Sequence, residues 1–202
     1  MALTKVQADG INLADTFAFT GTVSGSGMNL LLDATISSPV SAYDISSTYI
    51  NSSYNAYIIQ AEFLPVNDGV YFYSQVFVGG TIQTGSIYGR EVGAMSSSAY
   101  FNSNSATEFA LYNYSTLGNA AGEGITINAN LQNVNSTTRP CAITGTSTYF
   151  GTTGTPHNVF FGGTLLPANR ANIVNGLRFY GSANTGGNTI ASGTVKLYGL
   201  RT

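Results

Sequence analysis

Apolar and polar residues alternate with a period of two along most of this chain, in short runs separated by Gly, Pro, Asn and Ser. Side chains in a strand point to opposite faces in turn, so that pattern predicts half-buried β-strands. The clearest pair is residues 54–63, YNAYIIQAEF, and residues 70–78, VYFYSQVFV, both rich in aromatic and β-branched residues. Between them Pro65 and the Asn67, Asp68, Gly69 step supply a turn, so the two runs form a hairpin or a sheet-crossing pair. Further strands are predicted at 28–36, 81–90, 98–101, 109–114, 124–134, 141–150, 158–166, 174–180 and 189–199. No segment carries an apolar helical stripe with caps, and no exact internal repeat supports a propeller or β-helix. The expected fold is therefore all-β, a jelly-roll-like antiparallel β-sandwich over residues 28–202. Residues 1–27 alternate only weakly and end in the flexible Ser24, Gly25, Ser26, Gly27 step, which reads as an extended N-terminal arm.

Composition sharpens this picture. Only 8% of residues are charged, against about 25% in an ordinary soluble domain. Polarity comes instead from Ser, Thr, Asn and Tyr, which suit strand faces and turns and suit helices poorly. The net charge of −2 gives no electrostatic case for nucleic acid or an anionic membrane. No stretch reaches the roughly 18 apolar residues of a membrane-spanning helix. Gln7, Asp9, Asn12 and Asp15 interrupt any secretory leader, so synthesis in a cytosol is expected. Cys141 is the sole cysteine, which leaves no intrachain disulfide and reads as a small buried hydrophobe.

Catalytic chemistry is thinly provided. His157 is the only histidine, and its setting, Gly154 to Asn158, reads as a turn. A nucleophilic Ser–His pair would need it, with Asp68 or Glu123 brought near by folding. Nine scattered carboxylates make a two-carboxylate glycosidase a weak reading. One His and one Cys cannot build a zinc site, and an oxygen-ligand calcium site at Asp44 or at Asn67 and Asp68 competes with a plain turn. Phosphate-loop and dinucleotide fingerprints are absent, so no metal and no cofactor is expected. Asn51, Asn113 and Asn135 begin glycosylation sequons, which chance explains in so Asn- and Ser-rich a chain.

The aromatics carry more. There are 13 tyrosines and 11 phenylalanines but no tryptophan. A tyrosine presents an apolar ring and a hydroxyl, which suits sugar rings and protein interfaces alike. Tyr49, Tyr54, Tyr88, Tyr112 and Tyr114 are the candidates for exposed contact residues. Tyr71 and Tyr73 share one strand face, which either packs on another sheet or takes part in recognition.

Three segments, MALTKVQADGINLADTFAFTGTV, STYINSSYNAYIIQAEFLPVNDGVYFY and IVNGLRFYGSANTGGNTIASGTVKLYGL, together resemble small virion proteins of tailed bacteriophages. The central resemblance lies in paired tyrosines, a strand, a Pro-x-x-Asp-Gly turn and a second strand, at Tyr54, Tyr57, Ile59, Pro65, Asp68, Gly69 and Tyr73. The closing Gly-Thr-x-x-Leu-Tyr-Gly element falls at Gly193, Thr194, Leu197, Tyr198 and Gly199. This resemblance implies a tail-fibre, appendage or head-associated component, made in the host cytoplasm and assembled on the virion. It implies that the arm docks on other virion proteins, with Leu3, Val6, Ile11, Leu13, Phe17 and Phe19 as its apolar contacts, and that the protein is a homotrimer.

The reading that follows is a non-enzymatic virion structural protein, a fibre or appendage component that attaches to host surface glycan. The rival is a capsid decoration protein that clamps coat subunits. A third is a capsule-degrading glycosidase, which requires two carboxylates facing across a cleft.

Overall fold

The structure is a computed structural model and describes residues 27–94, 100–112, 115–183 and 190–200. The arm with its docking residues Leu3, Val6, Ile11, Leu13, Phe17 and Phe19, and Tyr114, lie outside the described residues. What is described is all-β: two antiparallel sheets packed face to face as a sandwich.

The strands are β1 (Met28–Ile36), β2 (Ala42–Ile45), β3 (Ala56–Pro65), β4 (Val70–Val78), β5 (Thr81–Ile82), β6 (Tyr88–Ala94), β7 (Tyr100–Ala106), β8 (Phe109–Ala110), β9 (Ile125–Gln132), β10 (Ala142–Phe150), β11 (Pro156–Leu165), β12 (Val174–Ala183) and β13 (Ile190–Leu200). The larger sheet has eight strands in the order β1-β13-β3-β9-β10-β11-β6-β7. The smaller runs β2-β12-β4-β5, with β8 also paired to β4. The chain changes sheet at β1 to β2, β2 to β3, β3 to β4, β5 to β6, β7 to β8, β8 to β9, β11 to β12 and β12 to β13, whereas β9, β10 and β11 form a meander inside one sheet.

The pair at 54–63 and 70–78 is thus the sheet-crossing alternative. Gly69, with φ at 84°, lets the chain leave β3 and enter the opposite sheet within a few residues. The predicted strand at 81–90 divides into β5 and β6, and β2 appears where no strand was expected. His157 stands on β11, paired opposite Tyr149, and not in a turn, because β10 extends far enough to hold it in the ladder.

Alternation places the core. On β9, Ile125, Ile127, Ala129 and Leu131 point inward while Thr126, Asn128, Asn130 and Gln132 face solvent. Phe63 of β3 bridges the layers, its ring stacked 5.0 Å from Phe72 of β4 and 5.4 Å from Phe179 of β12. Tyr88 crosses the same interface: its hydroxyl donates to the Gln83 carbonyl at 2.8 Å and accepts from the Val76 amide at 3.1 Å.

Cys141 lies in this core, and burial pushes its thiol up to about 12. The thiolate is the reactive form, so the folded protein at pH 8 is expected to resist iodoacetamide for hours. Mass spectrometry should show alkylation of Cys141 only once denaturant is added; rapid labelling of the native protein would contradict its burial.

Candidate functional site

The β6–β7 hairpin separates two surfaces of different chemistry. On β6, Tyr88, Arg90 and Val92 point to the side facing the smaller sheet, and Gly89, Glu91 and Gly93 to the outer side. The neighbouring strands follow suit. Phe160, Gly162 and Thr164 of β11 share the outer side, opposite Gly93, Glu91 and Gly89 respectively. From β7, Tyr100 sits opposite Gly93 and Asn102 opposite Glu91.

Three rows result on the outer face. One reads Phe160, Gly93, Tyr100 across three strands; the next reads Gly162, Glu91, Asn102; the third brings Thr164 to Gly89. A bulge in β7 beyond Ser103 turns Asn104 onto the rim. The glycines leave a trough of about 490 Å³ along Gly89, Arg90, Glu91, Asn102, Asn104, Gly162, Gly163 and Thr164. That volume falls within the roughly 300–1,000 Å³ of small-molecule sites.

The end row, beside the trough, carries two exposed aromatics. Phe160 and Tyr100 are 53% and 52% exposed, the most exposed aromatic rings among the described residues. Two strand spacings set their backbones about 10 Å apart, with Gly93 between them. The Tyr100 hydroxyl donates to the Glu91 carboxylate and accepts from the Asn102 amide at 3.4 Å, so the polar rim is already ordered.

Behind the hairpin lies an aromatic cluster. Tyr112 packs 4.6 Å from Tyr71 and edge-on to Tyr73 at 5.2 Å, and the Tyr73 and Tyr112 hydroxyls share a 3.0 Å hydrogen bond. Tyr180 stacks on Tyr73 at 5.6 Å. The Arg90 guanidinium lies over both Tyr73 and Phe101, at 5.9 and 5.7 Å, and its Nη1 donates to Glu108 at 2.6 Å. Burial raises the phenols of Tyr73, Tyr112 and Tyr180 above their ordinary value, so they stay neutral. Tyr73 packs against the edge of the sandwich core from outside it. Tyr71 and Tyr73 sit on the far side of β4 from Phe72, under the hairpin.

The tyrosines singled out from sequence are not gathered in one place. Tyr88 is a correction: it is fully buried, because its hydroxyl finds two backbone partners inside the sandwich and its ring packs edge-on to Phe109. Tyr49 is partly buried against the core. Tyr54 lies over Gly199, its hydroxyl accepting from the Asn29 amide at 3.0 Å. Tyr112 belongs to the cluster just described. Tyr100, Phe160, Glu91, Asn102 and Asn104 were not singled out, although the Gly89-x-Glu91-x-Gly93 alternation on a strand is a visible sign of a bare face.

The acids invoked for catalysis serve as backbone acceptors. Asp68 accepts from the Asn119 amide at 2.8 Å and Glu123 from the Ala120 amide at 2.7 Å. The His157 ring stacks on Tyr149 at 4.9 Å, and partial burial lowers its proton affinity. Among the described residues no three His, Cys, Asp or Glu side chains converge as a metal site. Comparison of the chain with protein-family models, with curated proteins and with solved structures finds no match, so the reading of the site rests on this geometry and on the sequence.

Proposed function

We propose that this chain is a non-enzymatic structural protein of a bacteriophage virion, a tail-fibre or appendage component that helps attach the particle to host surface glycan. The observation that carries the glycan part is the trough, whose glycines, carboxylate and two amides lie beside a row bearing two half-exposed rings. Sugars present apolar C–H faces and directional hydroxyls, and this pairing of ring faces with short polar groups answers both. The resemblance of the N-terminal, central and C-terminal segments to phage virion proteins supports the virion part, and the charge-poor β-sandwich is compatible with a permanent assembly. A single shallow site binds weakly, so attachment would draw on several copies acting together, as a homotrimer provides.

The test uses the fluorescently labelled full chain on host cells. It is expected to bind, to compete with phage adsorption, and to lose binding when surface polysaccharide is stripped enzymatically. Equal binding to stripped cells, or no binding at all, would overturn the glycan reading. A small tag after Thr202 that labelled the whole head in images of intact particles would replace it with capsid decoration.

A further inference from the structure

We propose that the trough between β7 and β11 takes an uncharged oligosaccharide, laid over a floor kept bare for that ligand. This rests on the glycan-binding reading above and assigns it a site and a ligand class.

The glycines make the argument. The described strands contain nine, and for six of them an added Cβ would fall within 3 Å of another atom, as at Gly145, 2.2 Å from the Asn128 carbonyl oxygen, and Gly163, 2.4 Å from Phe109. Packing demands those six. The other three are Gly89, Gly93 and Gly162, where a Cβ would meet nothing closer than 3.5 Å, nothing within 4 Å, and a methyl at 4.0 Å. None of the three has a positive φ, so backbone conformation does not require glycine either. All three lie on the outer face of the adjacent strands β6 and β11; Gly89 and Gly162 line the trough, and Gly93 lies in the row beside it. Glycine weakens a strand, and its recurrence on one face where side-chain packing does not require it is a mark of close approach of a ligand.

The lining selects the ligand. Phe160 and Tyr100, exposed in the row beside the trough across Gly93, supply rings for stacking, and Asn102, Asn104 and Thr164 offer amide and hydroxyl groups for sugar hydroxyls. Glu91 is the charged side chain turned outward here; Arg90, next to it in sequence, points to the opposite side and is paired with Glu108. A uronate or sialate would meet the Glu91 carboxylate, and Arg90, the cation of the described lining, is already paired with Glu108, whereas a neutral hexose chain would use the Glu91 carboxylate as a hydrogen-bond acceptor.

The experiment applies the full chain to an array of neutral hexose oligosaccharides and of oligosaccharides bearing uronic or sialic acid. Wild type is expected to bind neutral members, with G162L and G93V at least tenfold weaker although their melting temperatures match wild type. Phe160→Ala should weaken binding about tenfold, as loss of one stacking ring does. Binding confined to acidic members, no binding to any member, or unchanged affinity in G162L and G93V would overturn the proposal. If G162L still binds intact cells through their polysaccharide, the trough assignment fails while the attachment reading stands. If wild type binds neither cells nor array, both fail.

Discussion

Replacing Phe63 with alanine is expected to destabilise the sandwich by about 3–5 kcal/mol, the range for removing a buried aromatic ring. Phe63 is 2% exposed and touches both rings that face it from the smaller sheet, Phe72 and Phe179. No neighbour can collapse into the gap cheaply, since Phe72 and Phe179 are anchored in paired strands β4 and β12. Urea unfolding followed by circular dichroism measures the effect as a lower midpoint at unchanged slope. A loss below about 1 kcal/mol would mean that the two layers are not joined through this ring.

The second large effect comes from a single added methyl group. Gly145 sits in β10, at the middle of the eight-stranded sheet, between Ala129 of β9 and Phe161 of β11. A Cβ there would lie 2.2 Å from a backbone oxygen and 2.9 Å from the Phe161 ring. Overpacking against side chains costs about 1–3 kcal/mol, and backbone in a central ladder yields less, so Gly145→Ala should cost about 3 kcal/mol or more. Gly162→Ala, on the neighbouring strand, should be neutral or slightly stabilising because strand glycine is unfavourable relative to alanine. Thermal unfolding of the two variants side by side checks the contrast. Equal losses would show that the outer glycines are also held by packing.

Much of the larger sheet was legible in the sequence, because alternation is a local signal. Residues 124–134 and 141–150 read as strands from alternation and contain the whole of β9 and β10. The run at 70–78 coincides with β4. What failed was non-local. Ala42–Ile45 is too short to show a period, and becomes β2 only because β12 offers it a ladder and Arg178 a paired, 2.7 Å contact to Asp44. Tyr88 looked like any surface tyrosine until the partners of its hydroxyl were known, and Val76 and Gln83 are specified by the packing of one sheet on the other. The trough was hidden for the same reason. Gly89, Glu91 and Gly93 lie within five residues, but the bareness of the floor depends on β11 lying beside β6, and nothing in either run declares that pairing.

The strand order carries one more consequence, for how the protein is made. β13, residues Ile190–Leu200, is inserted between β1 and β3, near the two ends of the described sequence. At about 5–20 residues per second on the ribosome, β1 waits about 10–30 s for the partner that separates it from β3. Over that interval both strands expose open hydrogen-bonding edges, the feature that drives nascent chains to stick to one another. Closure of the sheet is therefore coupled to synthesis through residue 200, and a chain cut short before β13 would leave translation as an aggregation-prone fragment.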